Sequence, residues 1–333
     1  MKGKSKPTVS RYFRSFCNTV ALLAVVPALL AAQQNLKFND VGPRPVSSVS
    51  RNDERLVVNT DVVSLNVSVT DELGRSISGL SRENFKLFDN KSEQEILYFE
   101  DTDAPASIGI VFDLTGSMSG SKMARAVSVL QHFFEVSNPD DEYSVIGAMN
   151  GSARLIVDRS GDSESIVSRI STARSGGETA LYDACYLGIR TLDRGTRPKR
   201  ALVIISDGED NHSRFRFRDL YRLMQESGVL VYSVGILEDH GTDYDFGRAA
   251  LEEISSASGG KAFFPQSDSE LWSALESIAV ELRRQYSIGY RPLSLALDGK
   301  WHKLKVKLDH KNIEAPLNVR SRAGYRAVAI ASN

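Results

Sequence analysis

The segment Ile108-Gly109-Ile110-Val111-Phe112-Asp113-Leu114-Thr115-Gly116-Ser117-Met118 decides the fold. An apolar run ends in a carboxylate, two hydroxyl residues follow at alternate positions, and apolar residues at helical spacing begin shortly afterwards. A continuous apolar run is what a strand covered on both faces requires, and a strand leading into a helix is half of a parallel βα unit. Similar runs recur at 202–205 and 229–234. Met123, Val127, Leu130 and Phe134 are spaced 4, 3, 4, as are Leu271, Leu275, Ile278 and Leu282, and each set makes one apolar helix stripe. Further strands are expected at 143–149, 154–158 and 261–264, with helices near 163–172, 181–192, 217–227 and 246–258. The fold class is α/β, doubly wound and Rossmann-like, with a parallel central sheet.

Outward from this core the texture becomes all-β. Val63, Leu65, Val67 and Val69 alternate with Ser64, Asn66 and Ser68, which marks a half-buried strand. Segments 85–88 and 95–99 continue it, and 285–290, 301–308 and 317–325 repeat it near the other end. Each flank alone is too small to be stable in water. The expected organisation is one discontinuous, sandwich-like β domain, 53–102 with 284–328, into which an α/β domain, 103–283, is inserted. Residues 33–52 are rich in Pro, Ser, Asn and Gly and read as a linker.

Residues 1–32 hold Lys2, Lys4, Lys6, Arg11 and Arg14, no acid, and the apolar run 16–32. This is the pattern of an export signal, removed after Ala32 or retained as a single membrane anchor. Pro27 and Ala32 favour removal, and with it a secreted, periplasmic or envelope location. The chain totals 41 basic and 42 acidic side chains, so nothing in its overall charge would hold nucleic acid. With 41% hydrophobic and 25% charged residues it is an ordinary globular composition. Beyond Cys17 only Cys185 remains, which excludes an internal disulfide there and reads as a small buried residue.

Three segments carry chemistry. Asp113, Thr115 and Ser117 lie where a strand ends and a helix begins; Gly176-Gly177-Glu178-Thr179 is a glycine loop entering a helix; Asp207-Gly208 ends a second apolar strand. Ligands of open α/β sheets bind outside the carboxyl ends of the strands. Two carboxylates and three hydroxyls are all hard oxygens, suited to Mg2+ or Mn2+, and supply no thiolate or imidazole to select zinc. Any one of these residues alone reads more often as a helix cap than as a ligand.

The three segments resemble the metal-ion-dependent adhesion site of the von Willebrand factor A domain: DxSxS, a distant Thr, then a distant Asp before Gly. Asp113, Thr115, Ser117, Thr179 and Asp207 match in order, with Thr115 standing where the family has Ser. The likeness spans 103–283. The export pattern, the β flank and the endings Tyr286-Ser287-Ile288-Gly289-Tyr290 and Arg322-Ala323-Gly324-Tyr325 are similar to exported bacterial proteins related to this domain. The resemblance implies ligation rather than catalysis. Hydroxyls of Ser117, Thr115 and Thr179 would approach Mg2+, Asp113 and Asp207 would act largely through water, and a partner protein would offer an Asp or Glu carboxylate. Adhesion or envelope assembly is the implied role, with a scaffold bearing a vestigial site as the alternative and a hydrolase third.

Rival chemistries fit less well. Gly116 and Gly120 are too close for a phosphate loop, and a Ser precedes Lys122. An aspartyl phosphotransferase would want an acid where Thr115 stands. There is no GxSxG, and the five histidines show no HExxH spacing. Asp183 reads as structural, in the first turn of its helix, and Glu209, Asp210 and Asn211 as a solvated loop. Arg214-Phe215-Arg216-Phe217-Arg218 reads as two packed aromatics between solvated arginines.

Overall fold

The structure, a computed structural model, describes residues 62–237, 242–292, 299–309 and 316–327. The expected export signal and linker therefore lie outside the described residues. Among those described, no helix is long and apolar enough to cross a membrane. The first flank forms β1 (Val63–Thr70), β2 (Phe85–Asp89), β3 (Ser92–Gln94) and β4 (Ile96–Glu100). Then come β5 (Ala106–Asp113), α1 (Ser121–Val136), β6 (Glu142–Met149), β7 (Ser152–Ser160), α2 (Ser163–Ser171) and α3 (Leu181–Leu192). They are followed by β8 (Lys199–Ser206), α4 (Phe217–Ser227), β9 (Leu230–Gly235), α5 (Thr242–Ser258), β10 (Ala262–Phe263) and α6 (Asp268–Arg283). The second flank forms β11 (Tyr286–Tyr290), β12 (Trp301–Leu308), β13 (Asn318–Ser321) and β14 (Gly324–Arg326).

The central sheet has the order β10-β9-β8-β5-β6-β7 and is parallel except at one edge. All eight residues of β5 are buried, which explains its uninterrupted apolar run. One face packs on α1 and α6 through Leu130, Phe133, Leu275 and Ile278, the other on α3, α4 and α5 through Ile189, Leu220 and Ile254. The chain leaves β5 towards β6 and returns on its other side as β8. That reversal opens a crevice at the carboxyl ends of β5 and β8.

Two details depart from the sequence reading. β7 runs antiparallel to β6. Asn150 and Gly151 between them have φ of 49° and 66°, a two-residue hairpin too short for a parallel crossover. On α1 the fully buried residues are Ala126, Val129, Leu130 and Phe133, while Met123, Val127 and Phe134 are only partly covered. The helix is contacted by α6 and α2 as well as the sheet, so its apolar surface is wider than the single expected stripe.

Strands from both flanks pair into two four-stranded sheets, β13-β1-β11-β4 and β14-β12-β2-β3. Leu65, Val67, Tyr286 and Ile288 of the first meet Phe85, Leu87, Leu304 and Val306 of the second in one apolar core. The segment read as one strand at 317–325 is two, β13 and β14, one in each sheet. Buried Asp89 joins the sheets: it accepts from Tyr290 Oη at 2.8 Å and Tyr325 Oη at 3.3 Å, and lies 3.1 Å from His302 Nδ1. One tyrosine from each C-terminal motif, Tyr290 and Tyr325, thus converges on one carboxylate.

Where the chain crosses between the β flanks and the α/β layer, Lys199 is buried at 2% exposure. Its ammonium donates to the Thr102 carbonyl at 2.8 Å and to the Arg283 carbonyl, the end of α6, at 2.5 Å. Arg283 in turn pairs with Asp103 at 2.9 Å. Entry and exit are therefore clamped together by one side chain. Replacing Lys199 with Met keeps the stem but leaves two carbonyls without this donor. Urea unfolding should show a loss of about 1–3 kcal/mol.

Candidate functional site

Asp113 ends β5 and is wholly buried. Its Oδ1 accepts from the Thr115 hydroxyl at 2.6 Å and from the Thr115 backbone N–H at 3.1 Å. Its Oδ2 accepts from the Ser206 hydroxyl at 2.6 Å. Thr115 Oγ1 lies 3.1 Å from Ser117 Oγ, so the three alternate residues form one oxygen chain. Burial pushes the Asp113 carboxyl up to about 6, opposed by the Ser206 and Thr115 hydrogen bonds and reinforced by Asp207.

Asp207 directly follows β8, and its Oδ2 lies 3.3 Å from the ammonium of Lys122 at the start of α1. The loop before α3 is laced to both strand ends. Gly116 N–H donates to the Gly177 carbonyl at 3.3 Å and Gly176 N–H to the Leu114 carbonyl at 3.0 Å. Thr179, 1% exposed, donates its N–H to Asn211 Oδ1 at 2.9 Å. Its carbonyl accepts from the N–H groups of Asn211 and His212 at 3.1 and 2.9 Å. The three sequence segments thus meet at the carboxyl edge of the sheet. Asp113, Thr115 and Ser117 are in mutual contact, Asp207 is beside them through Ser206, and Thr179 is held in by backbone bonds.

Sequence reasoning missed several members. In sequence Ser206 is the last residue of an apolar strand and Lys122 a lysine at a helix start, and neither carries a signal of its own. Asp210 and Asn211 are bonded rather than simply solvated. Asp210 Oδ1 accepts from the N–H groups of Leu181 and Tyr182 at 2.8 and 3.3 Å, satisfying the start of α3. Its spacing of three before the Ser213 hydroxyl, which donates to it at 2.5 Å, was the available signal. Asp183 is buried and accepts from the N–H groups of Arg214 and Phe215 at 3.0 and 2.9 Å. Phe215 stacks on Tyr186 with centroids 3.9 Å apart, while Arg214, though 83% exposed, pairs with Asp183. Cys185 is a buried free thiol, and burial pushes it up, out of the reactive range.

The donor set fits a hard divalent cation. It offers carboxylate and hydroxyl oxygens, with one lysine as the neighbouring cation. Among the described residues no three His, Cys, Asp or Glu side chains gather as a metal site, the oxygens here being mostly hydroxyls.

The von Willebrand factor type A domain model matches residues 107–278, more than half of the chain, and the chain belongs to that family. Domains of this family generally mediate protein–protein interactions rather than catalysis. An uncharacterized protein of Synechocystis, sll0103, is 23% identical over 198 residues, which is 58% of this chain and 45% of that protein. The chain therefore spans less than half the length of that relative. Among solved structures, a von Willebrand factor type A protein from Catenulispora acidiphila is 13% identical with a TM-score of 0.46, covering 78% of this chain and 73% of that one. BatB from Bacteroides thetaiotaomicron is 18% identical with a TM-score of 0.43, covering 52% and 97%.

Two outcomes follow from the geometry. Asp113 holds its proton more tightly folded than unfolded, since about 6 lies above the ordinary 3.8. In EDTA its contribution to stability is therefore fully present below pH 3.8 and is lost as pH rises through about 6. Asp113→Asn should remove that slope from unfolding curves taken across the window. Asp210→Ala, by freeing the first N–H groups of α3, should lower stability by about 1 kcal/mol in the same assay.

Proposed function

We propose that this chain binds a partner protein through a divalent cation, Mg2+ or Mn2+, held by Asp113, Thr115, Ser117, Thr179 and Asp207. The observation that carries this reading is the oxygen chain Asp113–Thr115–Ser117, with spacings of 2.6 and 3.1 Å, set beside Asp207 at the crevice of the parallel sheet. Ser117 is the part of this chain that reaches half-exposed surface. When bound, the cation supplies an electrophilic centre that accepts an Asp or Glu carboxylate from the partner. Thr115, Ser117 and Thr179 would offer hydroxyl lone pairs to it. Asp113 and Asp207 would hold those hydroxyls and balance its charge, and Ser206 would keep Asp113 oriented. Threonine at 115 has the same ligating oxygen as serine, and its added methyl is accommodated in a fully buried position.

The apolar run after a basic tail supports export, and adhesion or assembly at the cell envelope is the setting in which such binding would act. A second reading has one observation in its favour. Lys122 already places an ammonium 3.3 Å from Asp207, as a scaffold with a vestigial metal site would.

Thermal unfolding separates the two. In EDTA and then millimolar Mg2+, the binding reading expects the midpoint to rise, because a ligand that prefers the folded state stabilises it. The Asp113→Ala/Asp207→Ala double variant should show no rise. Lys122→Gln should bind metal more tightly than the parent, since it removes a competing cation from Asp207. A flat midpoint in the parent and in Lys122→Gln alike would leave the scaffold.

A further inference from the structure

The outer surface of the β14-β12-β2-β3 sheet is strongly basic. Along β12, Leu304, Val306 and Leu308 enter the core, while Lys303, Lys305 and Lys307 alternate with them and are exposed. The antiparallel register sets Lys307 opposite Lys86 and Lys305 opposite Phe88. On the other side Trp301 is opposite Arg326 and Lys303 opposite Gly324. Phe88 faces Glu93 across β3. One sheet face thus gathers Lys86, Lys303, Lys305, Lys307 and Arg326, with Glu93 as the one outward-facing acid on its strands, Asp89 of β2 being turned inward.

Neutralisation is confined to the margins. Asp309, just past β12, pairs with Lys86 at 2.9 Å, and Glu226 of α4 approaches Arg326 at 3.8 Å. Lys307 places its ammonium 5.1 Å from the Phe88 ring centre, which does not cancel its charge. Among the described residues, no carboxylate lies within ion-pair distance of Lys303, Lys305 or Lys307. Outward residues of a strand repeat every ~6.6 Å, so the three make a row of like charges with no internal relief. This row sits on a chain that, beyond residue 32, has 36 basic against 42 acidic side chains.

Trp301 belongs to the same face. A Cβ at Gly324 would fall 2.4 Å from its indole, so the ring is seated over that glycine and not in the core. The surface is a pleated sheet rather than a groove. Its three unpaired cations are lysines, flexible point charges that suit a diffuse array of phosphates better than one bidentate anion. A planar array of anionic headgroups, with an interfacial indole at its edge, complements both the shape and the charge. The apolar run 16–32 ends 31 residues before β1, a length that reaches at most about 110 Å. Contact is therefore open to an anchored chain as well as a released one.

We propose that this face, Lys303, Lys305 and Lys307 with Trp301 beside them, docks on an anionic phospholipid leaflet. It is independent of the metal site and holds whether or not that site binds a partner.

Trp272 and Trp301 are the two tryptophans of the chain, so Trp272→Phe leaves Trp301 as the sole reporter. The full chain carrying Trp272→Phe is mixed with phosphatidylcholine vesicles, with or without phosphatidylglycerol, containing a headgroup-labelled quencher. Trp301 emission should shift to the blue and be quenched only with phosphatidylglycerol, and salt should reverse it. Each lysine near an anionic surface is worth about five-fold in binding, so Lys303→Gln/Lys305→Gln/Lys307→Gln should weaken it on the order of a hundred-fold. These exposed positions should leave the thermal midpoint unchanged. An equal response on phosphatidylcholine alone would assign any contact to the apolar run and overturn the proposal. So would an unaltered response in the triple variant, or a Trp301 response to soluble polyphosphate with none to vesicles.

Discussion

An ionisable carboxylate with no access to water must find its stabilisation inside the protein, and at Asp113 it comes from two hydroxyls. That requirement organises the carboxyl edge of the central sheet. Ser206 reaches Asp113 because β8 is the parallel neighbour of β5, in the register that sets Phe112 beside Ile205. Thr115 reaches it because the chain turns back immediately after the strand. A slip of one residue in either strand would carry these oxygens to the opposite face of the sheet. The apolar runs that fix the register therefore also fix the polar site. This is why a core substitution in β5 or β8 would disturb the site without touching any of its oxygens.

The elements that were legible in the sequence are those whose environment is uniform along their length. β5, β8 and β9 are buried on both faces and read as nearly unbroken apolar runs; α4 carries one apolar face and one wet face, while α3 is covered almost all round, and the limits of both helices match the expected ones. What escaped notice depends on contacts between elements. The antiparallel direction of β7 follows from the hairpin geometry at Asn150 and Gly151, a local signal set against a prevailing parallel pattern. The break between β13 and β14 comes from a strand changing sheets while keeping its apolar alternation. At the carboxyl edge of the sheet, Asp113, Thr115, Ser117, Thr179 and Asp207 stand out in the sequence by type and spacing. Ser206 and Lys122 did not, because a serine in a strand and a lysine at a helix start mean nothing until β5 lies beside them. Asp210 and Asn211 were similarly opaque, since their partners are backbone N–H groups about thirty residues away.

The clamp at Lys199 gives the two halves of the molecule a mechanical relation. Its ammonium takes up a carbonyl at the end of α6, where the negative end of the helix dipole also favours a cation. A few residues earlier on the same helix, Glu281 accepts from Tyr232 of β9 at 2.7 Å and from Arg320 of β13. The last turns of α6 are thus bonded at once to the central sheet, to Asp103 just before β5 and to a strand of the β sandwich. α6 also packs along α1, the helix that follows the Asp113–Ser117 loop and carries Lys122.

Through α1 and α6, then, the loop that holds the oxygens and the strand pairs of the sandwich share packed and hydrogen-bonded intermediates. Of the bonds at the lower end of α6, that of Glu281 to Tyr232 is buried, those of Lys199 and Arg320 are partly buried, and losing both partners would leave Glu281 unpaired in the interior, a cost of a few kcal/mol. Sliding α6 along its axis would break several together. The constraint therefore resists small adjustments and favours discrete arrangements, in which the sandwich and the α/β layer move as bodies or not at all. A chain built in this way ties its β sheets, through α6 and α1, to the loop at the carboxyl edge of its central sheet. The lysine row of β12 and the crevice at Asp113 are thus linked through β13, α6 and α1, which are in successive contact.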